Sequence, residues 1–206
     1  MDGAASTRTP AKGEQTRTAV LDAAIARFGR DGYRSTSVAD IARDAGVGGT
    51  VAYTYFPNKE ALFLAAVDED AAAVIGEGSS TLRTGSSMED WREGLLFSLV
   101  TALDRHPLAR RLLAGLEPEV TGRVLDIPAL SELRKAVAER LRLEQVAGEV
   151  RADIDPTDMA NGVVAIVLSL LMSVVQIGAD AALPYATSVT AVFEAAMQAP
   201  PLPHAR

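Results

Sequence analysis

From residue 14 to about residue 30 the apolar side chains Leu21, Ile25 and Phe28 recur at i, i+4 and i+7, with Val20 and Ala24 beside them. This spacing predicts an amphipathic helix, ended by Asp31-Gly32. Ser37 and Asp40 then stand at the S-x-x-D spacing in which a serine and a carboxylate satisfy the first N–H groups of a helix. Val38, Ile41, Ala42 and Ala45 form the apolar face of that helix, and Gly46 closes it. After Val47, Gly48-Gly49-Thr50 opens a second short helix, about 49–56. It sets Ala52, Tyr55 and Phe56 near one stripe and Thr50, Val51 and Thr54 on other faces. Residues 37–56 therefore read as two short helices around a glycine turn, a geometry suited to placing the second in the major groove of DNA.

Pro57-Asn58-Lys59-Glu60 starts a further helix, expected to run to about residue 75. Its acidic run Asp68-Glu69-Asp70 reads as a solvated face rather than a metal site, because adjacent helical positions point in different directions. The stretch GEGSSTLRTGSS predicts a loop over 76–87. Ser87 and Asp90 repeat the capping spacing and open a helix carrying Trp91, Leu95, Leu99 and Leu103 at four-residue steps. His106-Pro107 ends it, Pro107 suits the first turn of the next helix, and His106 reads as a helix-end residue rather than a catalytic base. Residues 129–148 form an amphipathic helix on Leu130, Leu133, Val137 and Leu141, and 184–198 form the last helix, on Val189, Val192, Phe193 and Ala196.

Between them, residues 159–179 hold 21 positions without a charge. That length raises the question of a membrane span. Asn161, Gly162, Ser169, Ser173 and Gln176 lower its hydrophobicity, acidic residues flank it and no basic cluster orients it, so no membrane association is expected. A helix apolar on nearly all faces is buried on nearly all faces, here in part by a partner chain. The expected architecture is all-α with about nine helices. A disordered arm (1–13) precedes a three-helix helix-turn-helix domain (14–60, motif 37–56), then a helical domain (61–199) and a disordered tail (200–206). Arg8 and Lys12 give the arm charges that can enter a minor groove, although a solvated tail is the simpler reading.

Composition narrows the chemistry. The chain has no cysteine and only His106 and His204 as histidines, so neither a metal site nor a cofactor is expected. No G-x-S-x-G, Walker-type or H-E-x-x-H pattern occurs, and the protein does not read as an enzyme. The first residues lack the apolar stretch of a signal peptide, which leaves a cytoplasmic location as the expectation. A formal charge of −7 argues at first against nucleic acid. Residues 1–60, however, carry eight Lys/Arg against seven Asp/Glu, while 61–206 carry twelve against twenty. The acidity lies in the C-terminal part, and the near-neutral N-terminal part is compatible with DNA.

Three segments, LDAAIARFGRDGY, TSVADIARDAGV and TVAYTYFPNKEALF, resemble the DNA-binding domain of the tetracycline-repressor (TetR) family over residues 14–63. The last is the most specific, through its aromatic-x-aromatic-Phe-Pro-x-Lys-Glu-x-Leu pattern. Where the family commonly has a serine, a basic residue and Gly-Thr, this chain has Gly48, Gly49, Thr50 and Val51, so a cationic contact is missing.

The expected DNA contacts are Ser37, Gly48, Gly49, Thr50, Val51, Tyr53, Thr54, Tyr55 and Lys59. Threonine and valine methyls suit the thymine methyl, and tyrosine phenols and the helix start at Lys59 suit phosphate. The resemblance implies a repressor that binds a palindromic double-stranded DNA operator as a homodimer. It further implies release by a small-molecule effector, expected to be mainly apolar. The dimer would form through residues 156–198, and the pocket walls would include Trp91, Phe97, Leu112, Leu116 and Met172. The alternative is a helical ligand-binding module that does not bind DNA.

Overall fold

The computed structural model describes residues 12–84, 88–118, 122 and 124–198. Among the described residues there are nine α-helices, one 3-10 turn and no strand. The chain divides into two compact units, Met1–Val67 and Asp68–Arg206.

In the first unit, α1 (Lys12–Ser35) buries Val20, Leu21, Ala24 and Phe28, the stripe expected from their spacing. Lys12 and Gly13, assigned above to the arm, already belong to this helix. The rest of the arm and the tail 200–206 lie outside the described residues. Next come α2 (Val38–Asp44) and α3 (Gly49–Tyr55). Gly46 turns the chain between them with φ of 68°, a left-handed conformation that costs a side-chain-bearing residue free energy. The three helices pack against one another. Phe28, Ile41, Ala52 and Phe63 fill their core, with Phe63 contributed by the start of α4 (Lys59–Thr84).

α4 corrects the sequence reading, because the glycine- and serine-rich stretch is not a loop where it is described. The helix continues through Gly76 and Gly78 to Thr84. The reason is a close approach: a Cβ at Gly78 would stand 2.5 Å from Leu99 Cδ2, so glycine lets α4 lie against α5 (Met88–Leu103). Hydroxyls of Ser79 and Ser80 donate to the carbonyls of Gly76 and Glu77 in the same helix.

The second unit continues with α6 (Pro107–Leu113), a 3-10 turn at Val124–Asp126, α7 (Pro128–Ala147), α8 (Pro156–Ile177) and α9 (Ala179–Met197). α8 is the hub, touching α5, α6, α7 and α9. Asp155 caps it by accepting from the N–H groups of Thr157 and Asp158 at 2.7 and 3.1 Å. α9 begins five residues before the expected start and carries Pro184 inside it. A proline so near the start removes one ladder bond, and the flanking turns hold the helix. Asp70 is the second correction. It is not on a solvated face, being 3% exposed, while its neighbours Asp68 and Glu69 are exposed.

Candidate functional site

The motif is clamped from α1. Arg27 donates two hydrogen bonds to Asp44 at the end of α2, Nε to Oδ2 at 2.6 Å and Nη2 to Oδ1 at 3.0 Å. The same guanidinium lies 3.9 Å from Asp40 in the first turn of α2. Ser37 caps that turn: its hydroxyl accepts from the Asp40 N–H at 3.2 Å and donates to the Asp40 carboxylate at 2.7 Å. A seven-residue helix is too short to persist alone, so these ties fix α2. The hydrogen bond from Arg27 holds the Asp44 carboxyl below its usual range, and that from Ser37 does the same for Asp40.

α3 rests on α2 through Ala52, fully buried, and through Phe56 just beyond its end. Gly49, Thr50, Val51, Tyr53 and Thr54 face solvent, with Val51 36% and Tyr53 52% exposed. No residue from 45 to 58 is charged. Cations stand around this edge instead: Arg43 is exposed, Arg17 lies 5.2 Å from the ring centre of Phe56 and Lys59 Nζ lies 4.3 Å from that of Tyr33. Asn58 Oδ1 accepts from the Ala61 N–H at 2.7 Å and caps α4.

The second unit contains a half-open cavity of about 60 Å³ lined from α4, α5, α6, α7 and α8. Its wall includes Val74, Leu99, Leu112, Leu133, Val167 and Leu171, and among the described residues every lining side chain is Ala, Val, Leu or Ile. Beside it Asp70 of α4 engages the start of α6. One carboxylate oxygen is 2.7 Å from His106 Nδ1, and the other accepts from the Ala109 N–H at 2.8 Å. The residue preceding α6, His106, makes no side-chain cap, so Asp70 supplies it from another helix.

Residues 20–66 match the family described as bacterial regulatory proteins, tetR family. Over those residues the chain is similar to that family's domain. The A-factor receptor protein of Streptomyces griseus is 31% identical over 156 residues, covering 75% of this chain and 53% of the relative. The chain thus spans about half the length of that curated relative. The crystal structure of a gamma-butyrolactone receptor superposes with a TM-score of 0.54 at 25% identity, covering 91% of this chain and 90% of the other. A TetR-family transcriptional regulator from Cytophaga hutchinsonii superposes with a TM-score of 0.71 at 19% identity, covering 93% and 98%, and shows the shared fold.

Within this domain, Gly48, Gly49, Thr50, Val51, Tyr53 and Thr54 lie together on the exposed side of the motif. The other three expected contacts are partly engaged elsewhere. Ser37 is committed to Asp40, Lys59 sits over Tyr33, and half-buried Tyr55 turns its hydroxyl toward Gly13. Of the expected pocket residues, Leu112 lines the cavity. Phe97 and Leu116 do not, being 73% and 56% exposed; Phe97 falls two positions from both Leu95 and Leu99, on the far side of α5. Met172 is half-buried and is not part of the wall, which takes Leu171 and Leu168 from the same turn. The side chain of Trp91 lies outside the described residues. Sequence reasoning missed Arg27 and Asp70, whose partners are 17 and 36 to 39 residues away, beyond any local pattern.

Two expected results follow from this geometry. A Cβ at Gly49 would meet nothing within 4 Å, so Gly49→Arg fits without repacking. Duplex DNA binding by this variant should tighten, with the slope of log K against log salt steeper by about 0.9, one phosphate contact; an unchanged slope would show that position 49 faces away from DNA. The second concerns acid. Because Asp40 and Asp44 have folded-state pKa values below the ordinary ~3.9, their contribution is complete above about pH 4 and disappears as pH falls through the folded values. The melting-temperature gap between wild type and Arg27→Leu should accordingly be open at pH 7 and close toward pH 2. A gap independent of pH would remove the clamp from the account.

Proposed function

We propose that this protein is a cytoplasmic, ligand-responsive transcriptional repressor without catalytic activity, which binds a palindromic operator as a homodimer and releases it on binding a small, mainly apolar effector. The observation that carries the reading is α3: Thr50, Val51, Tyr53 and Thr54 project outward from one short helix that Ala52 and Phe56 anchor from behind. Side chains so placed are free to meet base edges and phosphates. With no cation on that edge, sequence preference comes from methyl and hydroxyl contacts and from DNA shape, while Arg17, Arg43 and Lys59 supply phosphate contacts.

The homodimer is supported by α8 and α9. Only 28% of the most apolar window of α8 is buried, at a mean hydropathy of 2.1. Its exposed positions Gly162, Ala165 and Ser169 are small. The hydroxyls of Ser169 and of Ser173 one turn on donate to carbonyls of their own helix, at 2.9 and 3.0 Å, and leave this face nearly apolar. On α9, Tyr185 and Val192 are 66% and 64% exposed. An uncharged surface of this kind on two adjacent helices fits a self-complementary four-helix interface. A dimer matters because two recognition helices must match half-sites about one DNA turn, ~34–36 Å, or a related distance apart.

The effector response is supported by the cavity and by Asp70. α6 provides Ala109, Leu112 and Leu113 to the wall, its first turn is held by Asp70 of α4, and α4 is one continuous helix back to Lys59. A ligand that alters the α6 wall therefore acts on a helix that begins in the DNA-binding unit. A shift from 1:99 to 99:1 between binding and released states needs a preference of ~5.5 kcal/mol. Selection of bound sequences from random duplex DNA tests the reading, and a palindromic motif with salt-sensitive affinity is expected. Recovery of no motif would leave a helical ligand-binding module.

A further inference from the structure

We propose that the edge of α3 reads the C5-methyl group of a pyrimidine and not the hydrogen-bonding pattern of its base pair, so that 5-methylcytosine is accepted where thymine is and unmodified cytosine is not. The protein then distinguishes two copies of one DNA sequence that differ only in cytosine methylation. This rests on the DNA-binding reading above and adds to it the chemical group that is read. The chemistry follows first from what the edge lacks. In the major groove guanine is chosen by arginine or lysine, adenine by asparagine or glutamine, and unmodified cytosine by a carboxylate. None of these residue types occurs from residue 45 to residue 57. Asn58, the next residue, commits its Oδ1 to the Ala61 N–H at 2.7 Å. The cations around the edge are held elsewhere: Arg17 over Phe56, Lys59 over Tyr33, and Arg43 on Asp40 at 2.8 Å.

What the edge carries is methyl groups. Thr50 and Val51 follow Gly49 at the start of α3, both exposed, and the N-terminal residues of a recognition helix are the ones that meet base edges. Thr54 lies one turn on. Its hydroxyl donates to the Thr50 carbonyl at 3.4 Å, so the hydroxyl is tied to its own helix and the methyl is not. Gly48 and Gly49 place no side chain in front of these groups, and the space beside Gly49 is open to 4 Å. A valine senses only whether a methyl is present. A threonine hydroxyl both donates and accepts, so it pairs with thymine O4 or with the N4 amino group of 5-methylcytosine. A thymine·adenine pair and a 5-methylcytosine·guanine pair therefore look alike to this edge, whereas a cytosine·guanine pair leaves a gap where the methyl belongs.

The test uses the full chain and the duplex recovered by selection from random DNA. Each thymine of a half-site is replaced in turn by deoxyuridine, by cytosine and by 5-methylcytosine, with guanine opposite the last two, and affinity is read by fluorescence anisotropy at constant salt. At the position facing Val51, loss of the methyl should weaken binding about fourfold in one half-site and about sixteenfold in both. 5-Methylcytosine should restore affinity to within about twofold of thymine, while cytosine stays as weak as deoxyuridine or weaker. Methyl groups also alter DNA shape, so the same duplexes are titrated against Val51→Ala, Thr50→Ser and Thr54→Ser, which remove methyls from the protein at exposed positions. Melting curves confirm that the variants fold. At least one variant should bind the thymine and deoxyuridine duplexes equally, whereas a shape effect persists in all three. Deoxyuridine equal to thymine at every position, 5-methylcytosine as weak as cytosine, or discrimination unchanged in all three variants would each overturn the proposal. A motif bound with salt-sensitive affinity but without regard to methylation leaves the transcriptional reading intact and refutes this inference; no binding to any duplex refutes both.

Discussion

Phe28→Ala is expected to abolish operator binding while leaving ligand affinity at the cavity intact. Phe28 is fully buried, meets Phe63 edge-on at 4.9 Å between ring centres and stacks with Tyr33 at 6.1 Å. Truncating such a residue costs about 3–5 kcal/mol, the transfer term plus the hole left behind. The unit it supports, Met1–Val67, is small, and a domain of that size draws only about 3–5 kcal/mol from its core. The loss is as large as the reserve. Every cavity residue lies instead in Asp68–Arg206. Circular dichroism should show loss of part of the helix signal, with no retardation of DNA and unchanged ligand titration. Operator affinity within threefold of wild type would mean that the aromatic cluster does not hold the motif.

Asp70→Ala should lower the stability of the second unit by about 2–4 kcal/mol and uncouple ligand binding from DNA release. The carboxylate is 3% exposed and has two partners, the ring of His106 and the N–H of Ala109. Removing it strands a buried backbone donor at the start of α6 and leaves His106 with Glu77, 3.3 Å away, as its remaining carboxylate neighbour. A buried donor left unsatisfied costs about 1–3 kcal/mol, and the lost hydrogen bond to His106 adds about 1, which sets the range. Asp70→Asn keeps an acceptor oxygen for one partner and should lose about half as much. Chemical denaturation measures stability, and anisotropy with a saturating ligand measures coupling. Normal release of DNA from the alanine variant would show that α6 does not signal through α4 at this point.

Several parts of this protein were legible before any coordinates. The stripe of Val20, Leu21, Ala24 and Phe28, the Ser37 cap and the stop at Gly46 all act within one or two helical turns, so spacing alone reveals them. The same holds for Thr50, Val51 and Thr54: positions flanking a buried Ala52 must face elsewhere. Pocket residues were harder. Leu112 and Phe97 are equally apolar in sequence, yet one lines the cavity and the other is 73% exposed, because apolar character does not say which face of a helix its neighbours cover. Glycine misled for a related reason: local preference makes residues 76–87 a loop, and packing against Leu99 makes Gly78 helical.

The sequence by itself determined the all-helical class, the helix-turn-helix and its uncharged reading edge. These depend on contacts three or four residues apart and on side chains that are present or missing. Only the tertiary structure decided that Arg27 clamps α2, that Asp70 is buried as the cap of a distant helix, and that the described residues of the cavity wall are all aliphatic. Each of these is a meeting of residues far apart in the chain, and burial by distant partners sets whether a carboxylate is a solvated surface group or a tie between helices.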